Sequence, residues 1–298
     1  MKNILITGSN GQLGSEIREI SDQYENYNFI FTDVEELDLT ISEDIVSFFT
    51  DNKIDACINC AAYTAVDKAE DEVELAMLVN STAVENLSKV CKNNGTLLFH
   101  ISTDYVFNGK HFMPYVETDT VSPDSQYGLS KLKGEEAVML NCDKAIIVRT
   151  SWLYSSHGNN FVKTLIKLGN ERDQLSVVSD QIGVPTSAEL IADITSVCLM
   201  QALRKNTDLS GIYHLAPSGN TSWYGFSQYL LEKGQSIVDG LSSHSVNLNP
   251  IPTSQYPTPA KRPKNSLLNT NKISKEFGIF MPMWQTHVDR FLNQNYGH

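Results

Sequence analysis

The 298-residue chain has no long hydrophobic run, no low-complexity segment and no block of charge of one sign. A membrane-spanning helix needs roughly 20 mostly apolar residues, and no stretch approaches that length. The only apolar run before the first glycine is Ile4–Ile6, which is far too short for the core of a signal peptide. The sequence therefore predicts neither a membrane partner nor a secretory signal.

An excess of positive charge and a disulfide framework are missing as well. The formal net charge of −12 argues against nucleic acid as a partner, so an anionic ligand would need helix N-termini or selected cations. The five cysteines are scattered, and Cys57 and Cys60, although spaced like a redox pair, fall in a run that we expect to be a strand. Residues three apart on a strand face opposite sides. We therefore expect a reduced, cytoplasmic protein.

Short apolar segments alternate with helical patterns along the chain. The predicted strands are 2–7, 28–32, 56–60, 96–102 and 145–149, and the main predicted helices are 12–20, 71–93 and 127–140. This alternation predicts an α/β fold with a doubly wound parallel sheet, Rossmann-like in type. We expect a dinucleotide-binding domain in 1–150, with elements in about 175–205 completing its sheet. A smaller C-terminal substrate-binding domain would occupy most of 151–298, where five prolines in 250–263 predict a loop across a site.

Three glycines stand where the first strand meets the first helix. The spacing of Gly8, Gly11 and Gly14 lets the backbone approach a pyrophosphate at the helix N-terminus, although a tight turn could also bind nothing. Asp33 ends the second strand nineteen residues after Gly14, close to the ~20 expected for a carboxylate on the adenosine ribose. The loop therefore predicts dinucleotide binding. The acid favours the free 2′-hydroxyl of NAD over the 2′-phosphate of NADP.

Tyr127 and Lys131 lie one helical turn apart, so both side chains can point into one site. A nearby ammonium favours the phenolate, so we expect a lowered pKa for Tyr127 and proton transfer near neutral pH. Thr103, after the fourth strand, could hold the same substrate oxygen. These groups indicate carbonyl–alcohol interconversion with a hydride donor. Tyr229 and Lys233 share the spacing, but the aromatic residues around them predict a structural helix face.

Several ordered motifs carry a resemblance to a known family. They are Gly8-x-x-Gly11-x-x-Gly14, Asn59–Ala62, Ser102–Phe107 and Tyr127-x-x-x-Lys131, and further Ala65–Glu70, Arg149–Trp152, Gly158–Phe161, Asp180–Thr186 and Tyr256–Pro263. The first four resemble the extended short-chain dehydrogenase/reductase superfamily. The whole set resembles the dTDP-4-dehydrorhamnose reductases within it, over nearly the whole chain, from Asn3 to about Trp284.

The resemblance implies reduction of the C4 ketone of dTDP-4-dehydro-β-L-rhamnose by NADPH or NADH, the last step of dTDP-rhamnose synthesis. It implies that Tyr127 donates the proton, that Lys131 binds the nicotinamide ribose and that Thr103 replaces the superfamily serine. The implied cofactor-binding residues are Gly8, Gly11, Gln12, Leu13, Gly14, Asp33, Asp38, Leu39, Ala62, Tyr63, Thr64 and Lys131. The implied substrate-binding residues are Thr103, Asp104, Tyr127, Trp152 and Arg262.

Two of these assignments depend on the resemblance. Composition alone favours a solvated loop for the basic cluster that contains Arg262, and the resemblance favours diphosphate recognition by this one arginine. Trp152 by type is most often a core residue, but its place just after a strand end favours contact with the sugar.

Departures from related families narrow the chemistry. The nucleotide-sugar 4,6-dehydratases carry an Asp-Glu pair after the threonine, whereas Asp104 is followed here by Tyr105, which favours net reduction over dehydration. Tyr63 stands where the closer family often has histidine. Two alternatives stay open. One is a reductase or epimerase of another nucleotide-sugar, and the other is a non-catalytic, nucleotide-binding regulatory subunit of the same fold.

A metal ion and a partner chain are the least defined features. Some relatives are magnesium-linked dimers, so Mg²⁺ and a homodimer enter as alternatives. Glu16 and Glu189 are acids that could bind the ion, but we expect them to be unliganded surface carboxylates. We therefore predict no metal ligands.

Overall fold

The computed structural model of the chain describes residues 1–204, 208–239, 241 and 246–297. Its strands are β1 (Lys2–Thr7), β2 (Tyr27–Thr32), β3 (Ala56–Asn59), β4 (Leu97–Thr103), β5 (Ala145–Thr150), β6 (Leu153–Tyr154), β7 (Gln174–Val178), β8 (Ile182–Gly183), β9 (Thr186–Ser187), β10 (Gly211–His214), β11 (Thr221–Ser222) and β12 (Asn247–Ile251). Its helices are α1 (Gln12–Ile20), α2 (Ser42–Asn52), α3 (Val73–Met77), α4 (Ala83–Asn94), α5 (Gln126–Asn141), α6 (Phe161–Glu171), α7 (Ala188–Arg204), α8 (Trp223–Gly234), α9 (Asn271–Phe277) and α10 (Trp284–Tyr296). A π-helical turn, Leu78–Thr82, joins α3 to α4.

The main sheet has six parallel strands in the order β2-β1-β3-β4-β5-β10. The order reverses at β1, because β2 lies on one side of it and β3 on the other. In open parallel sheets ligands bind outside the carboxyl ends of the strands at such a reversal. The predicted doubly wound α/β fold is confirmed, and the reversal places the glycine loop after β1 where a ligand is expected.

Successive side chains of β1 enter two different apolar layers. Ile4 and Ile6 pack with residues of α1 and α7 on one face of the sheet. Leu5 packs on the other face, with residues of α2, α4 and α5. Strands that are covered on both faces are apolar throughout, which explains the uninterrupted hydrophobic runs in the sequence. In the described parts of the chain, no helix has the length and hydropathy to cross a membrane.

The later half of the chain forms a separate apolar cluster. Side chains of α6, α8 and α10 build it, among them Leu165, Phe226 and Phe291. This cluster suits the predicted C-terminal substrate-binding domain, but the division of the chain at residue 150 stays a prediction.

One expectation about the sheet is wrong in part. Helix α7 does share an apolar cluster with the sheet and α1, but the strand near 175–178 does not join the sheet, because β7 pairs with β12. The sixth strand is β10, which lies beside β5. Its four residues are too few to be distinguished from a loop by their apolar pattern.

The proline-rich segment runs back from β12 across the carboxyl edge of the main sheet. Residues 256–265, here called the C-terminal strap, are mostly irregular, as expected. Several contacts hold the strap to the earlier half of the chain, and three of them come from different residues of the strap. They are Ala260 N–H to Asp67 (3.2 Å), Lys261 to Asp124 (2.6 Å) and Asn265 N–H to the Gly109 carbonyl (3.1 Å).

Candidate active site

A cavity of about 1170 Å³ lies at the carboxyl ends of β1, β3, β4 and β5. It brings together residues that are far apart in the sequence. The predicted site residues that line it are Gly8, Gly11, Gln12, Leu13, Asp33, Asp38, Leu39, Ala62, Thr64, Thr103, Asp104, Tyr127, Lys131, Trp152 and Arg262. Gly14 and Tyr63 do not line it. A volume of this size exceeds the usual range of about 300–1,000 Å³ for a single small-molecule pocket.

The glycine loop is shaped by two close approaches. Gly8 has a φ of +62°, and a Cβ there would stand 2.7 Å from the Ala61 backbone. A Cβ on Gly14 would stand 2.5 Å from the Ser9 Cα, so this glycine packs the helix against the loop. No side chain caps the N-terminus of α1, which opens into the cavity. Its free N–H groups and the helix dipole suit an anionic ligand.

Asp33 closes the other side of this loop. One carboxylate oxygen accepts a hydrogen bond from Asn10 N–H (3.0 Å), and the other accepts one from Val34 N–H (2.9 Å). The carboxylate is therefore held at the carboxyl end of β2, beside the glycine loop, as the sequence predicted. Tyr63, in contrast, donates its hydroxyl proton to Glu72 (2.7 Å) and does not line the cavity.

Tyr127 and Lys131 lie near the start of α5. Ser125 caps this helix by accepting from Gly128 N–H (3.1 Å), and Glu70 accepts from Gln126 N–H (2.9 Å). Tyr127 is 9% exposed and Lys131 is 2% exposed, and both line the cavity. The predicted pairing of the two side chains in one site is therefore what the fold produces.

Burial changes the protonation of this pair. Burial raises the pKa of Tyr127 well above its ordinary value. The hydrogen bond with Thr103 acts to lower this pKa, and the negative charge of Asp104 raises it further. Our expectation of a lowered pKa for Tyr127 is therefore wrong in this structure. The Lys131 ammonium donates to the Ile101 carbonyl (2.7 Å), and burial lowers the pKa of Lys131 to about 8 although Glu135 acts to raise it.

Thr103 and Asp104 form the end of β4 and the first residue of a short 3₁₀ turn. The Thr103 hydroxyl donates to Asp104 (3.1 Å) and accepts from Tyr105 N–H (3.2 Å), which fixes its orientation beside the cavity. Burial raises the pKa of Asp104 to about 6, although hydrogen bonds from Ser266 and Thr103 and the charge of Arg262 act to lower it. A carboxyl group that changes charge near neutral pH therefore lies beside the predicted proton donor.

A buried ion pair ties α5 to the sheet. Glu135, one turn beyond Lys131, accepts two hydrogen bonds from Arg149 of β5, at 2.9 and 2.6 Å. It also accepts from the Ser102 hydroxyl at 2.5 Å. Both charged side chains are 2% exposed. This contact joins the helix that carries Tyr127 to the strand that leads into Thr103. The sequence motif contained Arg149, but its partner was missed.

Two stacked tryptophans form part of the cavity wall. Trp152 stacks on Trp223, with ring centroids 3.7 Å apart, and Trp223 contacts Phe161 (4.6 Å). Trp152 has a φ of +48°, which is rare for a bulky residue and marks a strained backbone at the site. Gly183 makes room for it, since a Cβ there would stand 2.4 Å from the indole. The helical spacing of Trp223 suggested a core position and gave no sign of this role.

Arg262 lines the same cavity, but its guanidinium already has partners. It donates to Asp67 at 2.6 Å and to the Tyr105 hydroxyl at 2.8 Å. The Tyr105 ring in turn meets the Tyr127 ring edge-on, with centroids 5.4 Å apart. Arg262 therefore reaches the predicted catalytic tyrosine through one intervening side chain.

The second tyrosine–lysine pair is structural. Tyr229 donates to Asp289 (2.7 Å) and packs edge-on against Trp284 (4.9 Å), outside the cavity. The Lys233 ammonium lies 5.7 Å from the Tyr229 ring centroid. The prediction for this pair is confirmed.

The acids considered for a metal have protein partners. Glu16 is buried rather than on the surface as expected, and accepts from Ser155 at 2.6 Å. Glu189 pairs with Arg290 at 2.9 Å. Among the described residues, ligand atoms of Glu16, Glu19 and His157 lie within 4.8 Å of one another. Glu189 is not part of that group, so the two acids do not meet in one cluster, and the absence of a metal stays a prediction.

Comparison with known proteins decides the family. A family model described as the RmlD substrate binding domain matches residues 1–296. The chain belongs to the RmlD substrate binding domain family. This assignment agrees with the resemblance seen in the sequence motifs.

Three similar proteins carry the name dTDP-4-dehydrorhamnose reductase. A protein of Escherichia coli (strain K12) named dTDP-4-dehydrorhamnose reductase is 43% identical over 296 residues, which cover 98% of this chain and 97% of that one. A crystal structure of a dTDP-4-dehydrorhamnose reductase from Clostridium acetobutylicum has a TM-score of 0.89 at 38% identity, over 98% of this chain and 99% of that one. The Bacillus anthracis enzyme in complex with NADP also has a TM-score of 0.89, at 36% identity over 99% and 100%.

Proposed function

We propose that this protein reduces the C4 ketone of dTDP-4-dehydro-β-L-rhamnose to give dTDP-β-L-rhamnose, with NADPH or NADH as the reductant. One observation carries the proposal. Thr103 and Tyr127 face the same cavity as the uncapped N-terminus of α1. A carbonyl carbon and a nicotinamide can therefore meet there. The names of the similar RmlD-family proteins supply the identity of the sugar.

The residues around the glycine loop fit the cofactor. The α1 N-terminus would receive the pyrophosphate, Asp33 would bind the adenosine ribose, and Lys131 would bind the nicotinamide ribose. The bound cofactor supplies the hydride. Asp33 favours a free 2′-hydroxyl, and the B. anthracis relative was crystallised with NADP, so the two cofactors need to be compared directly.

The chain's own residues would provide the proton. Thr103 would hold the C4 oxygen by a hydrogen bond, and Tyr127 would donate its hydroxyl proton to that oxygen as the hydride arrives at carbon. The raised pKa of Tyr127 keeps the phenol protonated at neutral pH, as a donor requires. The Lys131 ammonium would stabilise the phenolate that is left behind.

Tyr105 supports reduction over elimination of water. It occupies the position of the dehydratase glutamate, and its hydroxyl accepts from Arg262. Burial raises its pKa to about 12, although Arg262 acts to lower it. A phenol with such a pKa stays protonated at neutral pH, so it cannot act as the base that a dehydratase glutamate provides.

We also infer a cytoplasmic location, since all five cysteines of the described structure are free thiols. A homodimer stays a prediction that size-exclusion chromatography would test.

The experiment compares two tyrosine variants. Tyr127→Phe removes the proposed donor and should lower turnover by about 10²- to 10⁴-fold while leaving cofactor affinity nearly unchanged. Tyr229→Phe is the matched control, since it removes the same hydroxyl from the structural pair outside the cavity, and should keep normal turnover. Near-normal turnover of Tyr127→Phe would contradict the assignment. Steady conversion of a nucleotide-sugar without net oxidation of NADPH would instead favour an epimerase.

A further inference from the structure

The proposed diphosphate-binding arginine is not a free cation. Its guanidinium donates to the Asp67 carboxylate (2.6 Å) and to the Tyr105 hydroxyl (2.8 Å). The side chains of Arg262 and Asp67 are 26% and 39% exposed, so solvent and ligands can reach both. An anionic ligand that binds Arg262 would therefore compete with the carboxylate of Asp67.

Asp67 is held in this place from two sides. One oxygen accepts from Arg262, and the other accepts from Ala260 N–H in the C-terminal strap (3.2 Å). The residue lies in Ala65–Glu70, the segment whose Glu70 accepts from the first N–H of α5. The same short segment thus contacts the strap through Asp67 and the catalytic helix through Glu70.

The cavity has few cations that could bind an anionic ligand, which makes the ion pair between Arg262 and Asp67 important for binding. The acids that line the cavity are Asp33, Asp38, Asp67 and Asp104, and the cations are Lys68, Lys131 and Arg262. The Lys131 ammonium donates to the Ile101 carbonyl and is assigned above to the nicotinamide ribose. Arg262 is the arginine with the bidentate geometry that suits a diphosphate, and a nearby carboxylate competes for it.

We propose that Asp67 is a specificity-determining residue, the resident counter-ion of Arg262 that the diphosphate of the substrate displaces. The proposal rests on the function proposed above, because it takes the substrate to be a nucleotide diphosphate sugar. A diphosphate has more negative charge and more acceptor oxygens than one carboxylate, so it replaces Asp67 as the partner of Arg262. A neutral sugar or a sugar without the diphosphate cannot replace Asp67 and leaves the ion pair closed.

The exchange also reaches the catalytic tyrosine. The Tyr105 hydroxyl accepts a hydrogen bond from the Arg262 guanidinium, and the Tyr105 ring packs edge-on against the Tyr127 ring. Movement of Arg262 from Asp67 towards a diphosphate would therefore be transmitted to the side chain that packs against the proton donor. Binding of the distant diphosphate and placement of the donor are coupled through this contact.

The test replaces the charge of Asp67 without changing its shape. Asp67→Asn keeps an oxygen for Ala260 N–H but no longer competes as an anion for Arg262. We expect the Kd for dTDP, measured by calorimetry, and the KM for the dTDP-keto-sugar to fall by about threefold to tenfold, with kcat within about twofold of wild type. The matched control is Asp124→Asn, which removes one negative charge from the partner of Lys261 on the same strap, and should change Kd by less than about twofold.

The outcomes separate the two proposals. An unchanged or higher Kd in Asp67→Asn would show that Asp67 only orients Arg262 and would overturn the inference, as would an equal gain in the Asp124 control. In the double variant Asp67→Asn with Arg262→Gln, the gain should vanish. If the wild-type protein neither binds dTDP nor oxidises NADPH with any dTDP-keto-sugar, the proposed function itself fails.

Discussion

Asp104 should destabilise the folded protein at neutral pH because it is ionised in a buried site. It is 3% exposed, and burial raises its pKa from the ordinary 3.8 to about 6. A carboxyl group whose pKa is higher in the folded chain binds its proton more tightly there than in the unfolded chain. Its contribution to stability is therefore fully present below about pH 4 and is lost as the pH rises through about 6. Asp104→Asn, which has nearly the same shape and no charge, should remove this loss.

The size of the effect follows from the shift. A displacement of about two pKa units, at 1.36 kcal/mol for each unit, corresponds to about 3 kcal/mol. We expect Asp104→Asn to raise the free energy of unfolding by up to about 3 kcal/mol at pH 8, and by less than about 1 kcal/mol at pH 4.

Urea unfolding at the two pH values measures this difference, provided that the slope of the transition is unchanged by the substitution. Asp180→Asn is the control with the opposite sign. Burial acts to raise the pKa of Asp180, but hydrogen bonds from Thr253 hold it below its ordinary value. Asp180→Asn should therefore lower stability at pH 8. The reasoning is refuted if Asp104→Asn is no more stable than wild type at pH 8, or if its gain is the same at pH 4.

The remaining predictions concern the helix that carries the proposed catalytic pair and the wall of the proposed sugar site. Turnover should fall as the pH rises through about 8, because the Lys131 ammonium, whose pKa burial lowers to about 8, is then lost; a pH–rate profile checks this. Glu135→Leu leaves the buried Arg149 without a counter-ion and should cost about 3–5 kcal/mol in urea unfolding, and adding Arg149→Met should restore most of it. If the double variant is less stable than both single variants, the ion pair is not the cause. Gly183→Ala places a methyl group 2.4 Å from the Trp152 indole and should raise the KM for the sugar without changing cofactor affinity; equal changes in both would contradict the placement of this tryptophan.

Local patterns predicted the elements that line the cavity. Tyr127 and Lys131 are four residues apart, and the glycine loop is also short. Regular helix and strand geometry therefore determines how the residues of each motif are arranged, without reference to the rest of the chain. Their meeting in one cavity follows from a parallel sheet, since the carboxyl ends of all strands lie at one edge. The sequence therefore predicted the fold class and the position of the site together.

Contacts between distant segments were not predictable in this way. Asp67 and Arg262 are 195 residues apart, and nothing in either local motif specifies their pairing. The role of Trp223 was hidden because a tryptophan at helical spacing has the same pattern in a core and beside a cavity. The pKa of Tyr127 was predicted with the wrong sign because sequence spacing shows the nearby lysine but not the burial that dominates.

The most direct test of the proposed function is the reaction of the purified protein with dTDP-4-dehydro-β-L-rhamnose in the presence of NADPH, and separately of NADH. The absorbance of the reduced nicotinamide gives the stoichiometry, and chromatography of the products identifies the sugar. We predict one molecule of cofactor oxidised for each molecule of dTDP-β-L-rhamnose formed, with the reaction abolished by Tyr127→Phe. Absence of cofactor oxidation with both nucleotides, or formation of a different sugar, would contradict the proposed function.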